Sequence, residues 1–450
     1  MLAADDIAMP IEFPSDSALD RAMLHLAPTD VLELCRERMT GASPAERAAW
    51  QSCQVLEALY HPGRYVRLAY ALLGDVACRP DRYWPEGQIV YLHAPARTPI
   101  SRRGVMLEVQ GCRFEAYLFP EDRRLRGLRR FTGRDQAAGV WQSWLDLSDD
   151  AFRIDPDSLR RALIRYVPGQ KWVARLRARG EGRGQTGKRS VAVRVGRPAV
   201  TARIQTRHEQ LGAASWRNAG RFDVPRTVGS APGLVALQWL KGASLLDTLR
   251  SADPREVLGS VATAVAGFHQ STLTDLPALT PRRCFLSAAH AIHDLKLAYP
   301  KLGLRLDALL RPLRRRMIAL ERSGPAATVT LHNDLHWNQL RFLANRVTIL
   351  DLERMGAGDP LIDVANLATQ LRMLLHRPEM GVDRAESSEW ADSFLEAWRR
   401  TSGQHLDAGR FDSYAVISLL ELARGMMRHL RPGWQALAAR CLDTAEEVLG

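Results

Sequence analysis

The sequence predicts an α+β protein, on three observations. Residues 65–119 and 160–240 each hold short alternating or apolar runs bounded by Pro-Gly and Gly turns, the pattern of strands. From Lys241 to the C-terminus apolar residues recur mostly at helical spacing. The chain has 450 residues, too many for one ordinary core, so more than one domain is expected.

Taken in order, residues 1–55 read as helical, with apolar periodicity from Ala18 to Met39. Strands are expected at Tyr65–Leu73, Gln88–Leu92, Gly104–Val109 and Phe114–Phe119, ending in the charged segment Pro120–Arg134. Tyr60-His-Pro-Gly-Arg-Tyr-Val66 resembles Tyr166-Val-Pro-Gly-Gln-Lys-Trp-Val173, and each runs into an alternating strand, which suggests an internal repeat. A second sheet is expected from Ala162–Val167, Lys171–Arg179, Ser190–Val195 and Leu234–Trp239, interrupted by a helix over 198–214. Within the helical remainder, Ala327–Leu331 and Arg346–Leu350 read as paired short strands. The expected boundaries are 1–150 for an N-terminal α+β accessory domain, 151–240 for a small sheet-bearing lobe and 241–450 for a helical lobe.

Composition narrows the classes. Hydrophobic content of 46% and charged content of 25% fit a folded globular chain. The longest apolar runs, such as Val257–Phe268, are too short to span a membrane, and Met1–Pro10 lacks the basic start of a secretory signal. Six cysteines without metal-ligand spacing fit reduced thiols and a cytoplasmic location. The net charge of +12 comes almost wholly from arginine, with five lysines, and favours anionic partners. The bases are dispersed and no nucleic-acid motif accompanies them, so no specific nucleic-acid partner is expected. Oligomeric state is not legible.

The chemistry concentrates in His332-Asn333-Asp334-Leu335-His336-Trp337-Asn338-Gln339 and Leu350-Asp351-Leu352-Glu353. A carboxylate in a loop after an apolar strand, Asp334, can orient and deprotonate an acceptor hydroxyl. Asp351, at the end of the apolar run Val347–Leu350, and the amide oxygen of Gln339 are hard oxygen donors suited to magnesium. Phosphoryl transfer asks little more of side chains than positioning and charge neutralisation. His332 and His336 read as structural, His332 bonding the loop backbone, and Glu353 as a plain exposed acid. Asp359-Pro360 reads as a helix start, followed by a buried stripe of Leu361, Val364, Ala365, Ala368 and Leu371.

Residues 332–339 resemble the catalytic loop of aminoglycoside phosphotransferase-like kinases, which usually reads His-Gly-Asp-Leu-His-x-x-Asn. Val347–Glu353 resembles their metal-binding strand end. Gly358-Asp-Pro-Leu-Ile-Asp-Val-Ala-Asn-Leu367 resembles the segment that follows. The resemblance extends over 160–450 and implies a bilobal protein-kinase-like fold, with the first 150 residues outside it. It implies Asp334 as catalytic base, Gln339 and Asp351 as magnesium ligands, and Asp363 as a brace for the loop backbone. Gln339 departs from the usual Asn, as it does in maltokinase-like members; Asn338 stands one residue early. By strand order the resemblance puts Arg194 where the phosphate-binding lysine is expected, with Glu209 its available partner, and Gln238, Trp239 and Leu240 at the adenine-binding connector.

The implied activity is transfer of a phosphoryl group from ATP, with Mg2+, to a hydroxyl of a small molecule such as a sugar, aminocyclitol or polyol. The acceptor is expected against C-terminal helices bearing Glu386, Glu389, Asp392 and Glu396. The alternatives are a weak or inactive pseudokinase that binds a nucleotide or partner, and a peptide or protein kinase. The run Gly182–Arg189 has phosphate-loop spacing, but Arg189 stands where Ser or Thr is needed, so it reads as a hairpin loop.

Overall fold

The computed structural model describes residues 11–74, 89–96, 105–131, 133–148, 151–182, 184–217, 222–324, 327–343 and 346–450. Gln88 and Gly104, expected as strand starts, lie outside these, as does Cys78. Two compact units are present: residues up to 205 with 227–239 and 428–432, and residues 206–226, 240–427 and 433–450.

In the first unit, helices α1 (Asp20–Leu24) and α2 (Pro28–Arg38) are separate. Pro28 has no N–H to donate, so it starts a helix but does not continue one. Helix α3 (Pro44–Ala48) is closed by reciprocal bonds between Ser43 and Glu46. The helical expectation for residues 1–55 fails at its end, because Ser52–His61 is strand β1, paired with β2 (Tyr65–Leu73). Its sequence also suits a helix; pairing along its length decides for strand. Strands β3 (Ile89–Pro95), β4 (Val105–Val109) and β5 (Cys112–Leu118) complete an antiparallel sheet of order β1-β2-β3-β5-β4.

Helix α4 (Arg134–Leu147), assigned to no element above, precedes β6 (Arg153–Ile154), β7 (Arg160–Val167), β8 (Lys171–Gly182) and β9 (Gln185–Gly196). Helix α5 (Pro198–Arg217), β10 (Thr227–Ala231) and β11 (Leu234–Gln238) follow. The order is β7-β8-β9-β11-β10, with β6 also on β8. Trp141, Trp144 and Leu145 of α4 share a buried cluster with Trp172, Leu176, Val191 and Val193. The contact is close at Gly229, where a Cβ would lie 2.2 Å from the Trp144 ring, so only glycine fits.

The repeat suggested by the two Pro-Gly turns extends well beyond them. Both sheets have one strand order, with the final hairpin attached through its second strand. Asp16 Oδ2 accepts from Tyr60 Oη (2.6 Å) and Gly63 N (2.7 Å), and its Oδ1 from Ala18 N. Asp122 Oδ2 accepts from Tyr166 Oη (2.9 Å) and Gly169 N (2.7 Å), and its Oδ1 from Arg124 N. The sequence separations are the same in both sets, 44 and 47 residues. Phe13-Pro14-x-Asp16-x-x-Leu19 thus corresponds to Phe119-Pro120-x-Asp122-x-x-Leu125. Gly63 and Gly169 both have positive φ (64° and 70°), which explains the glycine in each turn.

The face of the first sheet that corresponds to the Arg194 face of the second is closed. Arg67, His93 and Glu115 form one cross-strand row, and Arg67 and Glu115 are buried. A Cβ on Gly169 would lie 2.9 Å from Arg67 Nη1, so the second turn seats on this row. Burial, then the Arg67 charge, pushes His93 down to about 4, against the pull of Glu115.

The second unit is mainly helical: α6 (Leu245–Ser251), α7 (Pro254–His269), α8 (Pro281–Ala298), α9 (Gly303–Ser323), α10 (Leu361–Arg372), α11 (Arg384–Ser402), α12 (Ala408–Arg428) and α13 (Trp434–Leu449). Val257, Val261, Val265 and Phe268 of α7 are buried, as are Trp390, Phe394 and Trp398 of α11, and the two helices pack together. Two three-stranded sheets carry the loops that matter. One is β12 (Ala243–Ser244), β15 (Leu340–Leu343) and β16 (Arg346–Ile349); the other is β13 (Ala278–Leu279), β17 (Gly356–Gly358) and β14 (Val329–Leu331). The strands expected to pair with each other, β14 and β16, therefore lie in different sheets. The reason is local: β15 and β16 close a hairpin at once, which leaves β14 to pair with β17.

Candidate active site

The loop Leu331–Gln339 leaves β14 and is held by a buried carboxyl. Asp363, on α10 and fully buried, accepts from His332 N through Oδ2 (2.7 Å) and from Asn333 N through Oδ1 (2.7 Å). His269 Nε2, at the end of α7, lies 3.2 Å from Asp363 Oδ2. Asn333 is left-handed (φ 58°), and its side chain donates to Arg354 O (3.1 Å), which offsets the unusual conformation. Asp363 therefore holds the loop backbone, as its sequence position suggested. The expected α10 stripe is buried, and Asp359 Oδ1 caps Leu361 N at 3.0 Å.

His332, also fully buried, donates from Nε2 to Leu350 O (2.7 Å). That bond ties the loop to the segment carrying Asp351. A second tie is Leu350 N to Gln339 O (2.9 Å), extending the β15–β16 ladder by one step. Gln339 and Asp351 thus flank one backbone bond. Asp351 follows β16 in the left-handed region (φ 54°), where the chain turns sharply. Asp334 lies between these ties, about one-third exposed, with Arg354 Nη1 at 3.5 Å from Oδ1.

His336 links the acids and the amide. Burial pushes its imidazole down to about 4, while both Asp334 and Asp351 pull the other way. The ring is therefore neutral near pH 7. Asn338 N donates to Nδ1 (3.2 Å), and the Gln339 amide nitrogen lies 3.1 Å from Nε2. A neutral imidazole accepts at one nitrogen only. With Nδ1 accepting from Asn338 N, Nε2 carries the proton and donates to the Gln339 amide oxygen once the amide is turned over, which leaves that oxygen one lone pair for a cation. Asn338 is committed through its backbone to the turn.

The same loop has supports that the motif reading missed. Arg207, a buried residue of α5, donates from Nη1 to Leu352 O (2.8 Å) and to Glu353 O, and from Nη2 to Met355 O (3.0 Å). It clamps the turn directly after Asp351. Asn366 on α10 donates to Leu335 O (2.9 Å). The signal for Arg207 was a basic residue on the apolar stripe of α5, between Ile204, His208 and Leu211, all buried.

The remaining candidates sit as follows. Arg194 is on β9, opposite Val173 and Val235. Glu209 is exposed on α5, and Gln238 ends β11, with Trp239 and Leu240 just beyond. Of the four acids proposed near the acceptor, Glu386 caps α11 with Asp383, Asp392 binds Arg372 (2.8 Å) and Glu396 binds Arg400 (3.1 Å). Among the described residues no cluster of three His, Cys, Asp or Glu has metal-site geometry. No helix among them is long and apolar enough to cross a membrane.

A family model described as the APH phosphotransferase enzyme family matches residues 182–411. The chain belongs to that family. It is a phosphotransferase, and the loop, the β16 end and α10 all fall within the matched span. Similar solved structures include a thermostable mutant of aminoglycoside phosphotransferase APH(4)-Ia in complex with AMP-PNP and hygromycin B. It is 16% identical with TM-score 0.46, covering 69% of this chain and 97% of that one. Macrolide 2'-phosphotransferase from Brachybacterium faecium is 17% identical with TM-score 0.41, covering 69% and 98%. An ethanolamine kinase from Plasmodium vivax is 11% identical with TM-score 0.43, covering 64% and 83%. No curated protein matches the chain.

Proposed function

We propose that the chain transfers the γ-phosphoryl group of ATP to a hydroxyl of a small molecule of the sugar, aminocyclitol or polyol class. The observation that supports this most is the loop braced by Asp363. Its backbone ties, His332 to Leu350 O and Leu350 N to Gln339 O, link the segments bearing Asp334, Gln339 and Asp351. In this reading Asp334 accepts the proton of the acceptor hydroxyl as its oxygen bonds to the γ-phosphorus and ADP leaves. The Asp351 carboxylate and the Gln339 amide oxygen are a donor set that suits magnesium, which usually takes one or two carboxylates and completes its shell with phosphate and water. Bound there, magnesium would offset charge on the transferring phosphates. In this use the Gln339 amide oxygen accepts from His336 Nε2–H with one lone pair and presents the other to the cation. Arg194, Glu209 and the backbone of Gln238–Leu240 are assigned to the nucleotide.

The domain assignment follows the repeat. We assign residues 1–150 to an accessory domain derived from a duplicated small lobe, 151–240 to the small lobe and 241–450 to the helical lobe. The accessory sheet has its corresponding face closed by Arg67, His93, Glu115 and the Gly169 turn, so it is assigned no nucleotide. The arginine at position 194, in place of lysine, favours a second reading, a nucleotide-binding pseudokinase.

The test is incubation of the purified chain with ATP, magnesium and a panel of sugars, aminocyclitols and amino alcohols, with ADP and phosphorylated product followed together. Product formation that Asp334→Asn abolishes supports the reading. Nucleotide binding without turnover on any acceptor favours the pseudokinase.

A further inference from the structure

We propose a second anion site in the first unit, on the open face of the β7-β8-β9 hairpins, that takes a small polyphosphorylated ligand. It is a concavity of about 730 Å³ lined by Arg160, Arg161, Arg175, Arg177, Arg179 and Lys188, with Asp155 and Asp157 at one side. Arg175, Arg177 and Arg179 alternate along β8, opposite in direction to the buried Trp172, Ala174, Leu176 and Ala178. Their Cα positions thus repeat about every 7 Å along one face.

The arrangement has a cost that the fold does not explain. Arg160 stands directly opposite Arg177, and Lys188 directly opposite Arg179. Like charges facing across a ladder destabilise a sheet. Burial, then the neighbouring Arg177 charge, weakens the hold of Arg175 on its proton. Arg175 bonds Ser190 Oγ (3.1 Å) and stacks on Trp239 (4.7 Å), yet its Nε is buried without a hydrogen-bond partner. Among the described residues no carboxylate lies within ion-pair distance of Arg177, Arg179 or Lys188.

Basic side chains often guard exposed strand edges against pairing. That role does not apply to β8, which is paired on both sides. Arg177, Arg179 and Lys188 thus place three cations without a carboxylate partner among the described residues on one face, an excess that a multiply charged anion would match. The volume lies in the range of small-molecule pockets, roughly 300–1,000 Å³, which favours a compact ligand over an extended macromolecule. Arginine forks suit phosphate oxygens in pairs, so the shared chemistry is a chain of two or more phosphoryl groups, free or on a nucleoside. The site shares the sheet face of Arg194, and Arg175 touches Trp239. Arg179 and Lys188 stand six residues along the strands from the Val173–Arg194 pair, about 20 Å away. The site therefore adds to the nucleotide residues assigned above and does not depend on Asp334 or Asp351.

The test is calorimetry on the full chain with inorganic tripolyphosphate, ADP and single phosphate as probes, at low and physiological salt. Three variants are compared with the parent: Arg177→Ser/Arg179→Ser/Lys188→Ser, the charge reversal Arg177→Glu/Lys188→Glu, and a control of equal charge loss on α9, Arg311→Ser/Arg314→Ser/Arg315→Ser. The expected result is tripolyphosphate binding tighter than single phosphate and weakened at least tenfold by both site variants. The control should change it less than twofold. Preference for ADP over tripolyphosphate, lost in the site variants, would name a nucleotide as the source; the reverse would name free polyphosphate. Thermal melting checks folding, and the site variants should melt no lower than the parent because repulsion is removed. Three outcomes overturn the proposal: no tripolyphosphate binding, an equal loss in the α9 control, or tighter binding of a hexa-aspartate peptide or a single-stranded oligonucleotide than of tripolyphosphate.

Discussion

Replacing Asp363 with Asn probes the brace under the loop. The two side chains have nearly the same shape, so no cavity forms. The change is in donors and acceptors. Asp363 accepts at 2.7 Å from two adjacent backbone N–H groups, one on each oxygen, and His269 stands at 3.2 Å. Asparagine keeps one acceptor oxygen and turns an NH2 group toward the other N–H. One buried amide then faces a donor, which costs about 1–3 kcal/mol, and the surviving bond to a carboxyl loses its charge assistance, about 1 kcal/mol more. A total near 3 kcal/mol lowers the melting temperature of a unit this size by roughly 6–12 °C. The loop is also released, so turnover should fall much more than nucleotide affinity. Melting of the helical unit, followed beside steady-state kinetics, reads both. Unchanged melting with unchanged turnover would refute the claim that Asp363 holds the loop.

Asp334→Asn should reduce kcat by about 10²–10⁴-fold, the usual contribution of a general base, while ATP affinity measured by calorimetry stays within twofold. Asp351→Asn should remove the magnesium dependence of nucleotide binding with the melting temperature preserved; an unaltered magnesium titration counts against the metal assignment. Arg207→Met keeps side-chain bulk but strips the donors from Leu352, Glu353 and Met355 carbonyls. It should cost roughly 2–4 kcal/mol and raise the magnesium concentration needed for half-maximal turnover, because the turn after Asp351 loosens. His93, pushed down to about 4 in the fold, binds a proton near its ordinary 6.5 when unfolded. Its contribution to stability is therefore whole above pH 6.5 and is lost as pH falls toward 4. His93→Gln should flatten the melting profile across that window, and a profile as steep as the parent's would count against this.

Much of the site was legible because its chemistry lies in contiguous residues. His332–Gln339, Leu350–Glu353 and Gly358–Leu367 each carry residue types that phosphoryl transfer needs at short spacing, and apolar runs before Asp334 and Asp351 announced strand ends. Asp363 and His332 were legible as supports for the same reason. Arg207, His269 and Asn366 were not, since each reaches its target from 30 to 150 residues away in the sequence. Nothing in their neighbours says which carbonyl or carboxyl they meet.

The first 150 residues divide in the same way. By itself the sequence determined that strands, a Pro-Gly turn and a matching turn near residue 168 exist, because turn chemistry and alternation are local properties. It also determined that the chain after Lys241 is mostly helical and that a helix starts at Asp359-Pro360. Only the tertiary structure decided that Ser52–His61 is a strand, that β14 pairs with β17 and not with β16, and that the two sheets share a strand order and an Asp-Tyr-Gly knot. Strand pairing and burial are contacts between segments far apart in sequence. Their energies depend on which partner arrives, and a single strand of residues does not record its partner.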